Sequence, residues 1–299
     1  MVSKVENFLG IDVGGTSIKA GLINRTGDLL QDETIPTERF SNNETFLLGI
    51  TSLLQKFNLS NVKSIGIGTP GPIDIENQII LSSANIPNIK NVKLGEHLSK
   101  ITTLPIFFNN DANCASLGEY HFNELSKTDS LIVITLGTGY GCGWVYGGKI
   151  FNGFLGNGME AGHQTVVLNG AICGCGNKGC VESYFSTRGL LGRFKEKTNL
   201  ELKDAKSFFK LVEKNDEDAI EVLDFGVLAF AHSIKNIVHM INPNKVVMVG
   251  GITKSKDFFY DKLINHLKNI IFPVLYSNLK IEIGKEMSGF YGAASQGFE

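Results

Sequence analysis

The sequence predicts an α/β protein built from two lobes, and three observations carry this prediction. A chain of 299 residues is longer than one hydrophobic core needs and has the length of two ordinary α/β lobes. Segments with the two-residue period of strands alternate with segments that have the period of helices. Two similar glycine-containing hairpins also stand far apart in the chain, which indicates a duplicated lobe.

The first half opens with a hairpin and then alternates between strands and helices. The hairpin is NFLGIDVGGTSIKAGLIN, and a further turn follows at Thr26-Gly27-Asp28. Three more segments are predicted, namely a helix in NNETFLLGITSLLQKFNL, a strand that runs into a turn in VKSIGIGTPGP, and a strand followed by a helix in LPIFFNNDANCASLGEYHF.

The second half repeats the pattern, starting with the hairpin SLIVITLGTGYGCGWVYGGKI. The elements expected after it are a helix near DAIEVLDFGVLAFAHSIKNIVHMIN, a strand in KVVMVGGI, a helix in FFYDKLINHLKNII, a strand in LKIEIG and a final helix around GFYGAASQGF. We expect an N-terminal lobe over residues 1–118, joined by the helix at about 287–299, and a C-terminal lobe over residues 119–286.

Composition and charge exclude several classes of protein. A formal charge of −2 gives no electrostatic footprint for nucleic acid or an anionic membrane. The first residues, MVSKVEN, lack the apolar core of a secretory signal, so a cytoplasmic protein is expected. Residues 130–148 carry no charge, but their glycines favour a buried strand and turn over a membrane span.

Three glycine turns follow predicted strands. Gly14 and Gly15 can turn backbone N–H groups toward an anion, Thr16 adds a hydroxyl and Lys19 a charge, but for a lone GGT an ordinary hairpin turn is the favoured interpretation. A second turn at Thr138 and Gly139 favours two turns around one nucleotide. Neither turn matches a P-loop or a Rossmann fingerprint. The third turn, Gly250-Gly251, could hold a flat ring such as adenine or simply end its strand.

A carboxylate stands where an apolar strand gives way to a helix, in FFNNDANC. In α/β folds this position presents side chains to a ligand. Asp111 could therefore accept the proton of an attacking hydroxyl. Alternatively, Asp111 or Asn110 merely caps the following helix, and the residues alone do not decide between these readings.

Three of the five cysteines lie within CGCGNKGC. Cys173, Cys175 and Cys180, together with His163 in the preceding EAGH segment, form a Cys3His set typical of structural zinc. A redox pair is the alternative, but the spacing is C-x-C and not C-x-x-C. Cys114 and Cys142 are expected to be packing residues.

These motifs, in this order, resemble the ROK family of bacterial sugar kinases over essentially the whole chain. The resemblance rests on IDVGGTSIKAGL, GTPGP, NNDANC, TLGTGYG, EAGH, CGCGNKGCVES and VVMVGGI. It implies the actin-like, ribonuclease-H-like ATPase fold, with two lobes around a central cleft. Relatives of this kind include glucokinases, N-acetylglucosamine kinases and N-acetylmannosamine kinases.

The resemblance also implies roles for individual residues. Asp111 would be the general base, and Asp12 would lie near the magnesium ion. The ATP site would be lined by Gly14, Gly15, Thr16, Lys19, Thr138, Gly139, Gly250 and Gly251. The sugar would be held by Asn110, Glu160, His163 and Glu182, with Gly71 and Asn85 closing the pocket. Zinc on His163 and the cysteines would fix the sugar-binding loop that spans residues 160–182.

The implied activity is transfer of the γ-phosphoryl group of MgATP to a hexose hydroxyl. Glucose is the favoured substrate because it is the commonest one among enzymes with this motif set, and N-acetylglucosamine or N-acetylmannosamine is the alternative. The family also includes sugar-responsive repressors with an added DNA-binding module, for which the hairpin beginning by Phe8 leaves no room. A catalytically silent sugar-binding protein is a further alternative. The resemblance suggests a homodimer.

Overall fold

The structure, a computed structural model, describes residues 6–83, 86–285, 287 and 289–298. The chain folds as two compact units. The first contains the chain up to Lys127, Gly143–Met159 and the chain from Lys285 onward, and the second contains Thr128–Cys142 and Glu160–Gly284.

The strands and helices follow one another along the chain much as the hydrophobic periodicity predicts. The strands are β1 (Asn7–Val13), β2 (Ser17–Asn24), β3 (Leu29–Pro36), β4 (Val62–Thr69), β5 (Ile73–Asp74), β6 (Ile79–Ser82), β7 (Lys90–Lys93), β8 (Ile106–Asn110), β9 (Ser130–Leu136), β10 (Tyr140–Tyr146), β11 (Lys149–Ile150), β12 (Lys245–Val249) and β13 (Lys280–Ile283). The helices are α1 (Asn43–Leu54), α2 (Leu94–Leu98), α3 (Asp111–Phe122), α4 (Thr187–Thr198), α5 (Ala205–Glu213), α6 (Glu217–Ile241), α7 (Tyr260–Ile270), α8 (Pro273–Tyr276) and α9 (Gly289–Ser295).

The first unit is built on a five-stranded sheet with the order β3-β2-β1-β4-β8. The strands β1, β2 and β3 pair antiparallel as a meander, whereas β4 and β8 join in parallel. Parallel pairing aligns the carboxyl ends of β1, β4 and β8, and the register places Asp12 beside Gly68 and Thr69 beside Asn110. The candidate residues of this unit therefore gather at one edge of the sheet.

Helix α9 packs against the first unit's sheet because two strand glycines leave room for it. A Cβ atom on Gly10 would lie 1.8 Å from the carbonyl oxygen of Phe290, and one on Gly66 would lie 1.7 Å from that of Ala293. No side chain fits at such distances. The final helix thus lies directly on the central strands β1 and β4.

The second five-stranded sheet has the order β11-β10-β9-β12-β13, and β10 runs from the second unit into the first. Within the second unit, β12 pairs in parallel with β9 and with β13. The long helix α6 is capped by the Asp216 side chain and ends at Asn242, which adopts the left-handed conformation. Its buried face includes Phe230, which stacks on Phe185 at 4.5 Å between ring centroids.

The α/β prediction is confirmed, and every segment predicted as a strand or helix has that structure. Residues 130–148 form β9, a turn and β10, as expected, and no helix in the described part of the chain is long and apolar enough to cross a membrane. The elements not predicted from the sequence are β3, the small antiparallel sheet β5-β6-β7, and helices α2, α4, α5 and α8. In β3 only Ile35 is buried, so this edge strand shows no clear apolar alternation.

Candidate active site

The Gly-Gly-Thr turn between β1 and β2 is closed by its own backbone and fixed by a residue of a neighbouring segment. The N–H of Gly14 donates to the carbonyl of Ser17 at 3.0 Å, so that amide is engaged within the turn. The buried Thr37 donates its hydroxyl to Gly15 O at 2.5 Å and its N–H to Thr16 O at 3.1 Å. Gly15 and Thr16 remain exposed, so they form the part of the turn that an anion can reach. Sequence reasoning missed Thr37, which carries no local motif.

Asp12 lies at the end of β1, opposite the exposed Lys19 in the hairpin register. Burial raises the pKa of Asp12 to about 6, the negative charge of Asp111 adds to this, and Lys19 partly offsets it. A Cβ atom on Gly289 would lie 2.6 Å from Asp12 Oδ2, so helix α9 begins directly against this carboxylate. A partly buried carboxylate beside a second one is suited to an oxygen-binding divalent cation.

The structure decides which residue caps helix α3. Asn110 is the N-cap, and its Oδ1 accepts the N–H of Asn113 at 2.7 Å. Asp111 is therefore the first helical residue, and its Oδ1 accepts the N–H of Ala112 at 2.8 Å. The residue is exposed, yet partial burial of its carboxyl group reduces hydration and raises the pKa of Asp111, while backbone N–H groups act in the opposite direction.

The loop after β4 carries Gly71, which adopts a φ of +89°. A Cβ atom there would lie 2.2 Å from the carbonyl oxygen of Ser82 at the end of β6, so this position requires glycine. Gly71 thus lies against the small sheet of the first unit. Asn85, the other residue expected to close the pocket, lies outside the described residues.

In the second unit, two glycine turns end neighbouring parallel strands. Gly250 follows β12 and has a φ of +105°. It packs closely against the end of β9, because a Cβ atom on Gly250 would lie 2.6 Å from Leu136 O. Leu136 directly precedes the turn that contains Thr138 and Gly139. The structure therefore brings the second and third predicted nucleotide turns together at one sheet edge, with Gly251 exposed beside them.

Helix α4 supports the second turn from its N-terminus. The N–H groups of Thr187 and Arg188 donate to the carbonyls of Gly137 and Thr138 at 2.9 and 3.2 Å. These amides belong to the first helical turn, where no partner exists inside the helix. Sequence reasoning missed this support because it did not predict α4.

His163 and the three cysteines form one compact cluster. Their ligand atoms all lie within 4.8 Å of one another. The Sγ atoms of Cys175 and Cys180 are 3.7 Å apart, and Cys173 Sγ lies 3.6 Å from His163 Nδ1. Tetrahedral zinc with Zn–S bonds of about 2.3 Å requires about 3.8 Å between sulfurs, so these residues fit the ion.

Backbone hydrogen bonds bring the cluster's two segments together. The N–H of Val181 donates to Gln164 O at 3.0 Å, and the N–H of Cys173 donates to Asn177 O at 2.8 Å. Gly179 has a φ of +78°, and a Cβ atom there would lie 1.8 Å from Val167 O. Only glycine allows this close crossing, which explains Gly179.

The two glutamates predicted to bind sugar, Glu160 and Glu182, flank this cluster. Glu160 is exposed, and its Oε2 lies 4.0 Å from His163 Nε2, the ring nitrogen that faces away from the cysteines. Glu182 Oε1 lies 3.9 Å from Cys173 Sγ, and its Oε2 accepts the N–H of Tyr140 at 2.9 Å. Glu182 thus connects the cysteine cluster with the residue that follows Gly139.

The fold and the site together define a class of proteins: α/β chains with glycine turns at strand ends and a Cys3His cluster. The ROK family matches residues 8–295 of the chain. A glucokinase of Thermotoga maritima is 32% identical over 304 residues, which cover 96% of each chain. An N-acetyl-D-glucosamine kinase of Aliivibrio salmonicida is 32% identical over 279 residues, or 89% of this chain and 91% of that one.

A solved structure supports the same relationship. The crystal structure of a ROK family glucokinase from Streptomyces griseus, in complex with glucose and AMPPNP, matches with a TM-score of 0.79 and 26% identity. The match covers 97% of this chain and 98% of that one. The chain belongs to the ROK family, and its mixed α/β fold is the actin-like ATPase fold, as the sequence predicted.

Proposed function

We propose that this protein is an ATP-dependent sugar kinase that transfers the γ-phosphoryl group of MgATP to a hydroxyl of glucose, giving glucose 6-phosphate. The observation that carries this proposal is the placement of Asp111. Since Asn110 provides the helix cap, the carboxylate of Asp111 is left at the solvent-accessible start of α3, where it can act on a bound hydroxyl.

The relatives support the reaction class. The Thermotoga maritima relative is named a glucokinase, and the Streptomyces griseus structure contains glucose and an ATP analogue. A glucose kinase accordingly agrees with both the family and the residues present. The family resemblance supports a homodimer that acts in glycolysis.

In the proposed reaction, Asp111 accepts the proton of the sugar hydroxyl as its oxygen attacks the γ-phosphorus. The bond between that phosphorus and the bridging oxygen breaks, and ADP leaves with the electron pair. The exposed Gly15 and Thr16 and the turn at Thr138 and Gly139 would bind phosphate oxygens. Magnesium bound with ATP would offset phosphate charge, and Asp12 is the carboxylate that would lie near it.

The residues proposed to hold sugar hydroxyls are Gly71, Asn110, Glu160, His163 and Glu182. Because Asn110 Oδ1 is used by the helix cap, its Nδ2 would be the group that donates to the sugar. We further propose that the Cys3His cluster holds a structural zinc ion that fixes His163 through Nδ1 and leaves Nε2 for the substrate.

An acetamido sugar is the second candidate substrate. The Aliivibrio salmonicida relative, as similar in sequence as the glucokinase, is named an N-acetyl-D-glucosamine kinase. N-acetylmannosamine belongs to the same alternative. Both retain the chemistry proposed for Asp111 and change only the pocket that discriminates at the sugar's second carbon.

The test is ADP release with MgATP and glucose, mannose, N-acetylglucosamine or N-acetylmannosamine, comparing kcat/KM. We expect the highest kcat/KM for glucose.

Asp111→Asn should lower kcat at least about 100-fold, while glucose binding stays measurable. Asp204→Asn, the same change at the start of α5, should leave activity unaltered because asparagine caps equally well. Near-normal turnover by Asp111→Asn would remove Asp111 from this role. No activity on any sugar would overturn the proposed function.

A further inference from the structure

Three asparagines form a buried amide cluster beside the start of helix α3. Asn109 Nδ2 donates to Asn152 Oδ1 at 2.8 Å, and Asn113 Nδ2 donates to Asn109 Oδ1 at 2.8 Å. Asn113 Nδ2 also approaches Asn152 Oδ1, at 3.4 Å. Asn109 and Asn113 are 3% and 0% exposed, so these bonds are shielded from water.

The amide cluster fixes the backbone immediately before Asp111. Asn109 Oδ1 accepts the N–H of Asn110 at 2.9 Å, and Asn110 Oδ1 accepts the N–H of Asn113 at 2.7 Å. These bonds hold the backbone on both sides of Asp111, at Asn110 and at Asn113. The direction of the Asp111 carboxylate is set by this junction, because Asp111 is the first residue of the helix.

Asn152 reaches the cluster from a distant part of the sequence. It follows β11, and its own carbonyl accepts the N–H of Gly158 at 2.8 Å, which closes the segment Phe151–Gly158 on itself. Asn157 fixes the other end of this segment, since its side chain accepts the N–H of Ile73 at 3.4 Å and donates to Ile73 O at 3.2 Å. Ile73 lies two residues after Gly71.

The segment therefore joins the two parts of the first unit that carry proposed sugar ligands. One end is bonded to the junction that bears Asn110 and Asp111, and the other end to the strand after Gly71. One atom of the cluster has no hydrogen-bond partner among the described residues: the buried Asn113 Oδ1.

We propose that Asn152 is a positioning residue for phosphoryl transfer, which acts by holding the β8–α3 junction so that Asp111 faces the reacting hydroxyl. This inference rests on the proposed function. It extends that function to a residue outside the quoted family motifs. Misplacement of a catalytic group by about 1 Å can cost about 100-fold in rate, so a bond that fixes its backbone has a measurable effect.

The test compares three variants of the full chain. Asn152→Ala removes the acceptor oxygen, Asn152→Asp keeps an acceptor in the same place, and Phe154→Ala changes a residue of the same segment whose side chain is 89% exposed. For each, kcat and KM for sugar and MgATP are measured, together with hydrogen–deuterium exchange of the peptide that contains residues 109–113.

We expect Asn152→Ala to lower kcat at least about tenfold, with KM for MgATP changed less than about threefold, and to increase exchange of the Asn110 and Asn113 amides. Asn152→Asp should recover most of the kcat, and Phe154→Ala should match wild type in both measurements. Wild-type kcat and unchanged exchange in Asn152→Ala would overturn the proposal. Increased exchange with unchanged kcat would also overturn it, by reducing Asn152 to a structural role.

The proposal and the proposed function fail in distinguishable ways. If wild type phosphorylates none of the sugars, the proposed function fails and the positioning role fails with it, whereas exchange still shows whether Asn152 holds the junction. If wild type is active and Asn152→Ala does not fold, Asn152→Asp decides, because a kcat below about one tenth of wild type in a folded Asn152→Asp protein contradicts a role based on the acceptor oxygen.

Discussion

At the scale of single residues, burial raises the pKa of Asp12, a carboxylate of the first unit. Its pKa of about 6 lies above the ordinary value of 3.8, so the folded chain binds this proton more tightly than the unfolded chain. The resulting contribution to stability is complete below about pH 3.8 and is lost as the pH rises through about 6. An ionised Asp12 therefore weakens the metal-free fold near neutral pH.

Asp12→Asn removes this effect, since asparagine stays neutral. In protein free of metal and nucleotide, we expect the variant to gain stability relative to wild type as the pH rises from about 4 to 7.5, by about 2 kcal/mol at most. Urea unfolding at several pH values measures this difference. Asp28→Asn is the control with the opposite sign, because hydrogen bonds from Asn24 and Thr26 lower the pKa of Asp28. A difference independent of pH for Asp12→Asn would contradict the burial argument.

Sequence reasoning located the carboxylate of FFNNDANC but could not say whether it caps the helix. Asn110 and Asp111 are both good N-caps, and the choice depends on where β8 ends, which is fixed by its pairing with β4. The amide cluster could not be predicted from the sequence either. Asn152 meets Asn109 only because the fold brings together segments that are remote in sequence.

At the scale of elements, the Cys3His segment shows how much a local pattern can predict. The four residues were identified from spacing and residue type alone, because C-x-C-x4-C with flanking glycines has few uses other than metal binding. The pattern could not show that Glu182 would bond to Tyr140 N–H beside the second glycine turn. Helix α4 was missed although its N-terminus supports that same turn.

We predict one zinc ion per chain, bound by this cluster. Cys175→Ser should lower the zinc content well below one equivalent and lower the Tm, because structural zinc contributes directly to folding free energy. Metal analysis of the purified protein and thermal unfolding check both expectations. Cys175 is the exposed member of the set, so the substitution itself disturbs little packing.

Cys142→Ala is the matched control, since Cys142 is buried in β10 and lies outside the cluster. Its zinc content should equal that of wild type even if its Tm falls. Wild-type protein purified without chelator that contains no zinc, or a Cys175→Ser variant that retains a full equivalent, would contradict the metal assignment.

At the scale of the whole molecule, the chain passes between the two units at four points, and Glu119 anchors residues beside two of them. Its buried carboxylate accepts hydrogen bonds from Asn123 Nδ2 and from Ser126 Oγ at 2.7 Å, just before the passage at Lys127. It also accepts the N–H of Lys285 at 3.3 Å, where the chain returns to the first unit. One side chain of α3 thus organises two connections that are distant in sequence.

Removing the Glu119 carboxylate should destabilise the protein more than removing the carboxylate of an exposed acidic residue. We expect Glu119→Ala to lower the free energy of unfolding by about 3 kcal/mol, because buried donors on Asn123 and Ser126 and the backbone N–H of Lys285 lose a partner. Glu119→Gln, which keeps one acceptor oxygen, should cost less. Glu124→Ala is the matched control, since Glu124 is largely exposed and pairs with Lys127 at the surface, and it should change stability by less than about 0.5 kcal/mol. Urea unfolding followed by circular dichroism compares the variants. A urea midpoint for Glu119→Ala equal to that of Glu124→Ala would show that these hydrogen bonds do not stabilise the chain segments near Ser126 and Lys285.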